Sequence, residues 1–237
     1  MAAERLDKQL AATGRWSRKE VKDLIRHRRV QVNGCPALHP EDKVDPSSEI
    51  LVDGERVDLS QFVYVMLHKP AGLLSATQDR SQSTVLDLLP EELKRRGLFP
   101  VGRLDKDTTG LLLLTDDGDL AHQLLSPKKH INKVYLAQVE GQVDGEDVAV
   151  LNAGMVLGDG LHCLPAGLEP VGDGSWCLVT LQEGKYHQVK RMLAARGKPV
   201  VTLKRMSMGE LQLDESLEPG KWRYLTAFEV AELKRNG

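Results

Sequence analysis

Four consecutive leucines at residues 111–114 follow directly on the polar segment Gly-Arg-Leu-Asp-Lys-Asp-Thr-Thr-Gly at 102–110 and run into an acidic turn. An uninterrupted aliphatic run of this length reads as a strand buried on both faces, and it is far too short to cross a bilayer. Arg103-Leu104-Asp105 followed by a buried strand fits a carboxylate held at the edge of a sheet and aimed into a cleft.

The flanking segments alternate short strands with short helices. Strands are expected at 63–67, 111–114, 133–139, 176–181, 200–203 and 222–225, and helices at 84–96, 119–125, 144–152, 187–196 and 227–235. No steady strand–helix–strand rhythm runs through them, which favours α+β over a doubly wound sheet. Tyr64 to Leu67 lead into His68-Lys69-Pro70-Ala71-Gly72, a turn set by proline and glycine. With 237 residues and 41% hydrophobic content, the chain can form two domains with proper cores. Asp58-Leu59-Ser60-Gln61 is short and polar, so the expected division is a module at 1–58, a linker at 59–62 and a larger domain at 63–237.

In the smaller module, Leu6, Leu10 and Ala11 have helical spacing, ended by Gly14. Ser17 and Glu20 form a capping box for a second helix, whose buried stripe is Val21, Leu24 and Ile25. Its outer face carries Arg18, Lys19, Lys22, Arg26 and Arg29. Asn33-Gly34 and Asp53-Gly54 mark tight turns of a small hairpin sheet.

Net charge is only −2, but charge is segregated. Residues 5–29 hold nine Lys/Arg against three acids, and residues 184–209 hold seven and none. Residues 41–58 reverse the balance, with seven acids against two bases. Separation of this kind suits a surface that tracks phosphates, although a single basic run also serves as a solvated helix face. Cys35, Cys163 and Cys177 are widely spaced and odd in number, which fits a reducing cytoplasm and three buried small side chains. The amino terminus carries charge from Glu4 onward and has no apolar signal core. A membrane partner is not expected, and a monomer is the default.

Asp105 is the first candidate for chemistry; its plain alternative is a turn carboxylate. Asp105, Asp107, Thr109, Gly110 and Asp116 also match the spacing of a calcium-binding loop. Against that stand an aspartate at position twelve, Leu113 at position nine, and a preceding Gly-Leu-Phe-Pro-Val-Gly segment unfit for an entering helix. Asp116-Asp117-Gly118-Asp119 reads as a turn plus a cap supplied by Asp119. Lys133 and Tyr135 share one face of a strand, where a tyrosine can lie against a nucleobase while the lysine meets phosphate. In Gly184-Lys185-Tyr186-His187-Gln188-Val189-Lys190-Arg191-Met192, the stripe Val189, Met192 and Leu193 is flanked by Lys190 and Arg191. At least one of them can reach a buried carboxylate that needs a cation. His187 has no evident carboxylate partner and reads as structural.

The amino-terminal pattern resembles the RNA-binding module named after ribosomal protein S-four. Taken in order, Lys69-Pro70-x-Gly72, Arg103-Leu104-Asp105, Lys133-Val134-Tyr135 and the Gly-x-Tyr-His-Gln-Val-Lys-Arg-Met segment resemble the RsuA-type branch of the RNA pseudouridine synthases over nearly the whole chain. The resemblance implies a mixed, mostly antiparallel catalytic sheet with flanking helices. It also implies isomerisation of a uridine in ribosomal RNA without cofactor or metal. The His-Gln-Val-Lys-Arg form is more like that of enzymes acting on small-subunit (16S) rRNA. A large-subunit (23S) substrate and a non-catalytic rRNA-binding assembly factor are the alternatives. By resemblance, Asp105 acts at the ribose, either attacking carbon 1′ or taking a proton from carbon 2′. Tyr135 stacks on the flipped base, and Lys190 pairs with the carboxylate, with Arg191 the second choice for that role. Arg103 fills the vacated space or holds phosphate. Lys69, Lys133, Lys185 and Arg191 complete the expected RNA contacts of the larger domain, beside Arg18, Lys19, Lys22, Arg26 and Arg29 of the module.

Overall fold

The computed structural model describes residues 3–45 and 47–236. Two compact units emerge, one formed by residues up to 63 together with Leu89–Leu98, the other by Tyr64–Leu88 and the chain from Phe99.

In the first unit, helices Leu6–Ala12 and Arg18–Arg26 pack on an antiparallel sheet ordered Cys35–Pro36, Val30–Val32, Ile50–Val52 and Glu55–Arg56. Leu6, Leu10, Val21, Leu24, Ile25, Val30, Ile50 and Val52 form its core. The capping box is present: the Ser17 side chain accepts from Glu20 N, and Ser17 N donates to the Glu20 carboxylate. Both residues of the Asn33-Gly34 and Asp53-Gly54 turns have positive φ, as a two-residue hairpin turn of this hand requires. Helix Glu91–Arg95 joins this unit because Gly14 allows close approach: a Cβ there would lie 2.0 Å from the Glu92 carbonyl oxygen. Cys35 is exposed, unlike Cys163 and Cys177, because its short strand is a sheet edge.

The second unit is organised by a nine-stranded sheet. Its main path runs Gly167–Val171, Trp176–Leu181, Lys133–Val139, Val200–Met208, Thr109–Thr115, Tyr64–Lys69 and Trp222–Tyr224. Every pairing is antiparallel except that of Val200–Met208 with Thr109–Thr115. The sheet is thus mixed and mostly antiparallel. Leu111, Leu112, Leu113 and Leu114 are each 0% exposed. Burying each one contributes about 1.5–3 kcal/mol, so this strand anchors the segment that precedes it.

Several elements differ from the sequence expectation for local reasons. The helix expected at 84–96 is split into a 3-10 turn, Val85–Leu88, and helix Glu91–Arg95, because Pro90 disfavours helical backbone before it. Asp117, not Asp119, caps helix Gly118–Leu125, its side chain accepting from Leu120 N, while its other oxygen accepts the Tyr64 hydroxyl at 2.6 Å. The strand from Val200 continues to Met208. Among the described residues, no helix is long and apolar enough to cross a membrane.

Candidate active site

The 102–110 loop is held from beneath. Lys69 is 0% exposed, and its Nζ lies 2.9–3.2 Å from the carbonyl oxygens of Pro70, Asp105, Lys106 and Thr108. Ser75 Oγ donates to the Leu104 carbonyl and accepts from Leu104 N. Gly72 N donates to the Lys106 carbonyl at 2.7 Å. At the loop's end, Gly110 has φ 101°, and a Cβ there would sit 2.3 Å from the Arg205 carbonyl oxygen. Only glycine fits where the loop enters the parallel strand pair. These bonds leave the Asp105 side chain facing outward, 28% exposed.

Lys69 is therefore not a surface cation. Placed under the loop, it serves backbone carbonyls and is out of reach of phosphate. Burial pushes its ammonium down to about 8, with the Asp107 and Asp105 carboxylates pulling the other way.

Helix Gln188–Ala195 brings the counter-charges. Lys190 Nζ lies 3.8 Å from Asp105 Oδ2 and 2.5 Å from Asp107 Oδ1. The Lys190 hydrogen bond holds the Asp107 carboxyl below the usual carboxylate range. Arg191 turns the other way, to Asp159 at 2.6 Å, so Lys190 is the cation that faces Asp105. His187 Nε2 lies 3.5 Å from Asp105 Oδ1. This contact was not legible in the sequence, where His187 read as structural. His187 occupies the left-handed region at φ 49° and ψ 33°, just before the helix, a conformation that costs a non-glycine residue of order 1 kcal/mol or more.

Asp105 and Asp107 thus share a lysine rather than a cation site. The segment ahead of them pairs as strand Phe99–Pro100, not as an entering helix. No group of three or more His, Cys, Asp or Glu suited to a metal occurs among the described residues.

Tyr135 is 8% exposed in the Lys133–Val139 strand, opposite Val179 and Arg205. It lines a narrow cleft with Arg103, Asp105 and His187. It also lines a neighbouring cavity of about 420 Å³, with Arg103, Lys133, Lys185 and Arg205 among the other walls. That volume lies in the range of small-ligand sites. Arg103 is exposed at the rim. Lys133 is buried, donating to the Ile131 carbonyl at 3.1 Å, with its ammonium pushed down first by burial and then by Arg205. Lys185 bonds Glu183 at 2.9 Å and the His162 carbonyl. Arg205 was not singled out by sequence. It is 2% exposed and donates through Nε to the Leu111 carbonyl at 2.8 Å, tying the parallel strand pair together.

In the module, Arg18, Lys19, Lys22, Arg26 and Arg29 are all exposed. Arg26 pairs with Asp23 at 2.7 Å, and Arg29 grips Asp53 through two bonds of 2.6 Å. Arg18, Lys19 and Lys22 remain as the outward cations of the helix face.

A carboxylate flanked by a lysine and a histidine, beside a tyrosine and a cavity with room for a flipped nucleotide, suits chemistry on a sugar or base drawn out of a nucleic acid. Known proteins match this chain over nearly its whole length. Residues 63–195 match the family model described as RNA pseudouridylate synthase, and residues 4–50 match the S4 domain. An uncharacterised RNA pseudouridine synthase of Bacillus subtilis is 49% identical over 230 residues, covering 95% of this chain and 96% of that protein. A Vibrio cholerae protein named ribosomal small subunit pseudouridine synthase A is 40% identical over 230 residues, covering 97% and 99%. A crystal structure of a pseudouridylate synthase superposes with a TM-score of 0.69 at 37% identity, covering 98% of this chain and all of that one. The chain belongs to the RNA pseudouridylate synthase family, in the form that carries an amino-terminal S4 domain.

Proposed function

We propose that this enzyme converts a uridine of small-subunit (16S) rRNA to pseudouridine, with Asp105 as the catalytic carboxylate. The observation that carries the proposal is the placement of Asp105: outward on a loop bonded from below, 3.8 Å from Lys190, 3.5 Å from His187 and in the same cleft as Tyr135. Relatives named for the small subunit, such as the Vibrio cholerae protein, support the substrate.

In the reaction, the bond from ribose carbon 1′ to base N1 breaks and a bond from carbon 1′ to base carbon 5 forms. Carbon 5 gives up its proton and N1 gains one, so the change is an isomerisation. The target uridine leaves its stack to reach the site. Asp105 acts at the ribose, Tyr135 packs on the base and faces the carbon 5 proton, and Lys190 balances the carboxylate charge. Arg103 at the rim meets the RNA backbone. Lys133 and Lys185 act through the walls of the site, since each already has a protein partner, and Arg191, turned to Asp159, contributes charge from outside those walls. The module at 1–58 binds RNA through Arg18, Lys19 and Lys22, with Arg26 and Arg29 contributing to the same field. A linker at 59–62 joins it to the catalytic domain at 63–237. The protein works as a cytoplasmic monomer on small-subunit rRNA or the assembling small subunit.

Carbodiimide adducts read by primer extension test this directly. Purified protein is incubated with small- and large-subunit rRNA transcripts and with a partly assembled small subunit. A single new stop in the small-subunit RNA is expected. A stop confined to large-subunit RNA would overturn the substrate, and no stop in any of the three would overturn the enzyme reading in favour of a binding factor.

A further inference from the structure

Tyr186 stands beside the proposed reaction centre without being used by it. It is 75% exposed, a large aromatic presented to solvent. One face is not free: it stacks on the His187 ring, with centroids 3.8 Å apart and planes 18° from parallel. His187 in turn lies 3.5 Å from Asp105. A column of two rings therefore begins at the catalytic carboxylate and ends at an open aromatic face.

The turn that carries the column is pinned on both sides of Tyr186. Arg191 N donates to the His187 carbonyl at 2.9 Å, and Gln188 N to the Lys185 carbonyl at 3.1 Å. Gln188 returns the bond, its Oε1 accepting from Lys185 N at 3.0 Å, while its Nε2 donates to Glu183 at 2.5 Å. Lys185 is anchored to Glu183 at 2.9 Å. A ring already stacked on one face, over a pinned turn, has less freedom to lose when a base stacks on the other.

RNA supplies a partner of the right chemistry. When a target nucleotide is drawn out of its stack, each neighbouring base loses a stacking surface. An aromatic face beside the site can replace it, and stacking on tyrosine tolerates any base because every base has a π-face. We propose that Tyr186, braced by His187, is the stacking platform for the nucleobase adjacent to the target uridine. The inference rests on the function proposed above and adds a binding subsite to it. Tyr186 contacts the neighbouring base, while His187 is a positioning residue that fixes both Tyr186 and the approach to Asp105.

The test uses the full chain and a small-subunit rRNA fragment spanning the modified uridine. 2-Aminopurine is placed at its 5′ or its 3′ neighbour. For the wild-type protein, fluorescence at one of the two positions should be quenched on binding. Tyr186→Ala should remove that quenching and raise KM about tenfold, with kcat changed by less than about threefold. Tyr186→Phe keeps the ring and should restore both quenching and KM. Equal quenching and KM in Tyr186→Ala would overturn the subsite while leaving the enzyme reading intact. A fall in kcat alone, with KM unmoved, would also overturn it and assign Tyr186 to bracing His187. If the wild-type protein converts no uridine, the proposed function fails first, and the subsite fails with it.

Discussion

The two cationic regions of this chain are built in opposite ways. On helix Arg18–Arg26 the lysines and arginines face solvent, and the helix is secured without them by its capping box and by Val21, Leu24 and Ile25. In the 102–110 loop the decisive cation is inside: Lys69 lies fully buried beneath the loop and holds four backbone carbonyls. The first arrangement is a field, in which each charge adds a small, salt-screened increment. The second is a geometry, in which removing one group strips a shared donor from four loop carbonyls at once, leaving those of Asp105 and Lys106 with only the backbone N–H of Thr108 and Gly72. Similar residues thus serve different ends, and the two regions should answer mutation differently.

The sharpest way to break this contrast is Lys69→Met. The four loop carbonyls would lose their shared donor, with that of Thr108 buried, so the unfolding free energy should fall by about 3 kcal/mol and kcat by about a hundredfold. Chemical denaturation with turnover measured under folded conditions reads both quantities, and a variant as stable and active as the wild type would contradict the buried role. A pH dependence accompanies it. Burial sets the Lys69 ammonium at about 8 against an ordinary 10.5, so the folded state sheds its proton before the unfolded chain does. The unfolded chain then binds more protons in that window, and stability attributable to this group rises with pH between about 8 and 10.5. Lys69→Met should lack that rise.

Lys190→Met comes next. It leaves Asp105 without its lysine and should lower kcat by about a hundredfold while RNA affinity changes less than about threefold. An unchanged kcat would transfer the counter-charge role to His187. Smaller still is the effect of Arg18→Gln, Lys19→Gln and Lys22→Gln combined. These remove part of a field, so KM should rise about tenfold at unchanged kcat, and the log–log salt slope of RNA binding should fall by about two. A flat salt response in the wild-type protein would defeat the idea of a phosphate-tracking face. The smallest effect is local. Because the Lys190 bond holds the Asp107 carboxyl down, Lys190→Met should let Asp107 titrate nearer its ordinary 3.8, followed by carboxyl NMR.

Much of this was legible because local rules and tertiary demands agree. Strands Lys133–Val139 and Trp176–Leu181 lie within the expected bounds because apolar content and flanking turns mark them cleanly. The capping box at Ser17 and the turns at Asn33-Gly34 and Asp53-Gly54 are encoded within a few residues of sequence. Asp105 stood out because a glycine-bounded polar loop meets a buried leucine run. Other features depend on long-range packing. Strand Gly167–Val171 contains Pro170 and was not among the expected strands, yet it is held by register with Trp176–Leu181 at the sheet edge. Lys69 and Arg205 look like surface cations until the fold encloses them, each then bonding backbone carbonyls far away in sequence. The approach of His187 to Asp105 depends on a left-handed backbone residue that no local pattern announces.

The most direct test of the central claim is release of tritium from carbon 5 of labelled uridine in small-subunit rRNA, measured for the wild-type protein and for Asp105→Asn, with RNA affinity measured alongside. The account predicts steady release by the wild type, a loss of about 10⁴-fold or more in the variant, and an affinity within about threefold. Release by Asp105→Asn within about tenfold of the wild type would contradict it, because the loop, Lys190 and His187 would then be arranged around a carboxylate the reaction does not need.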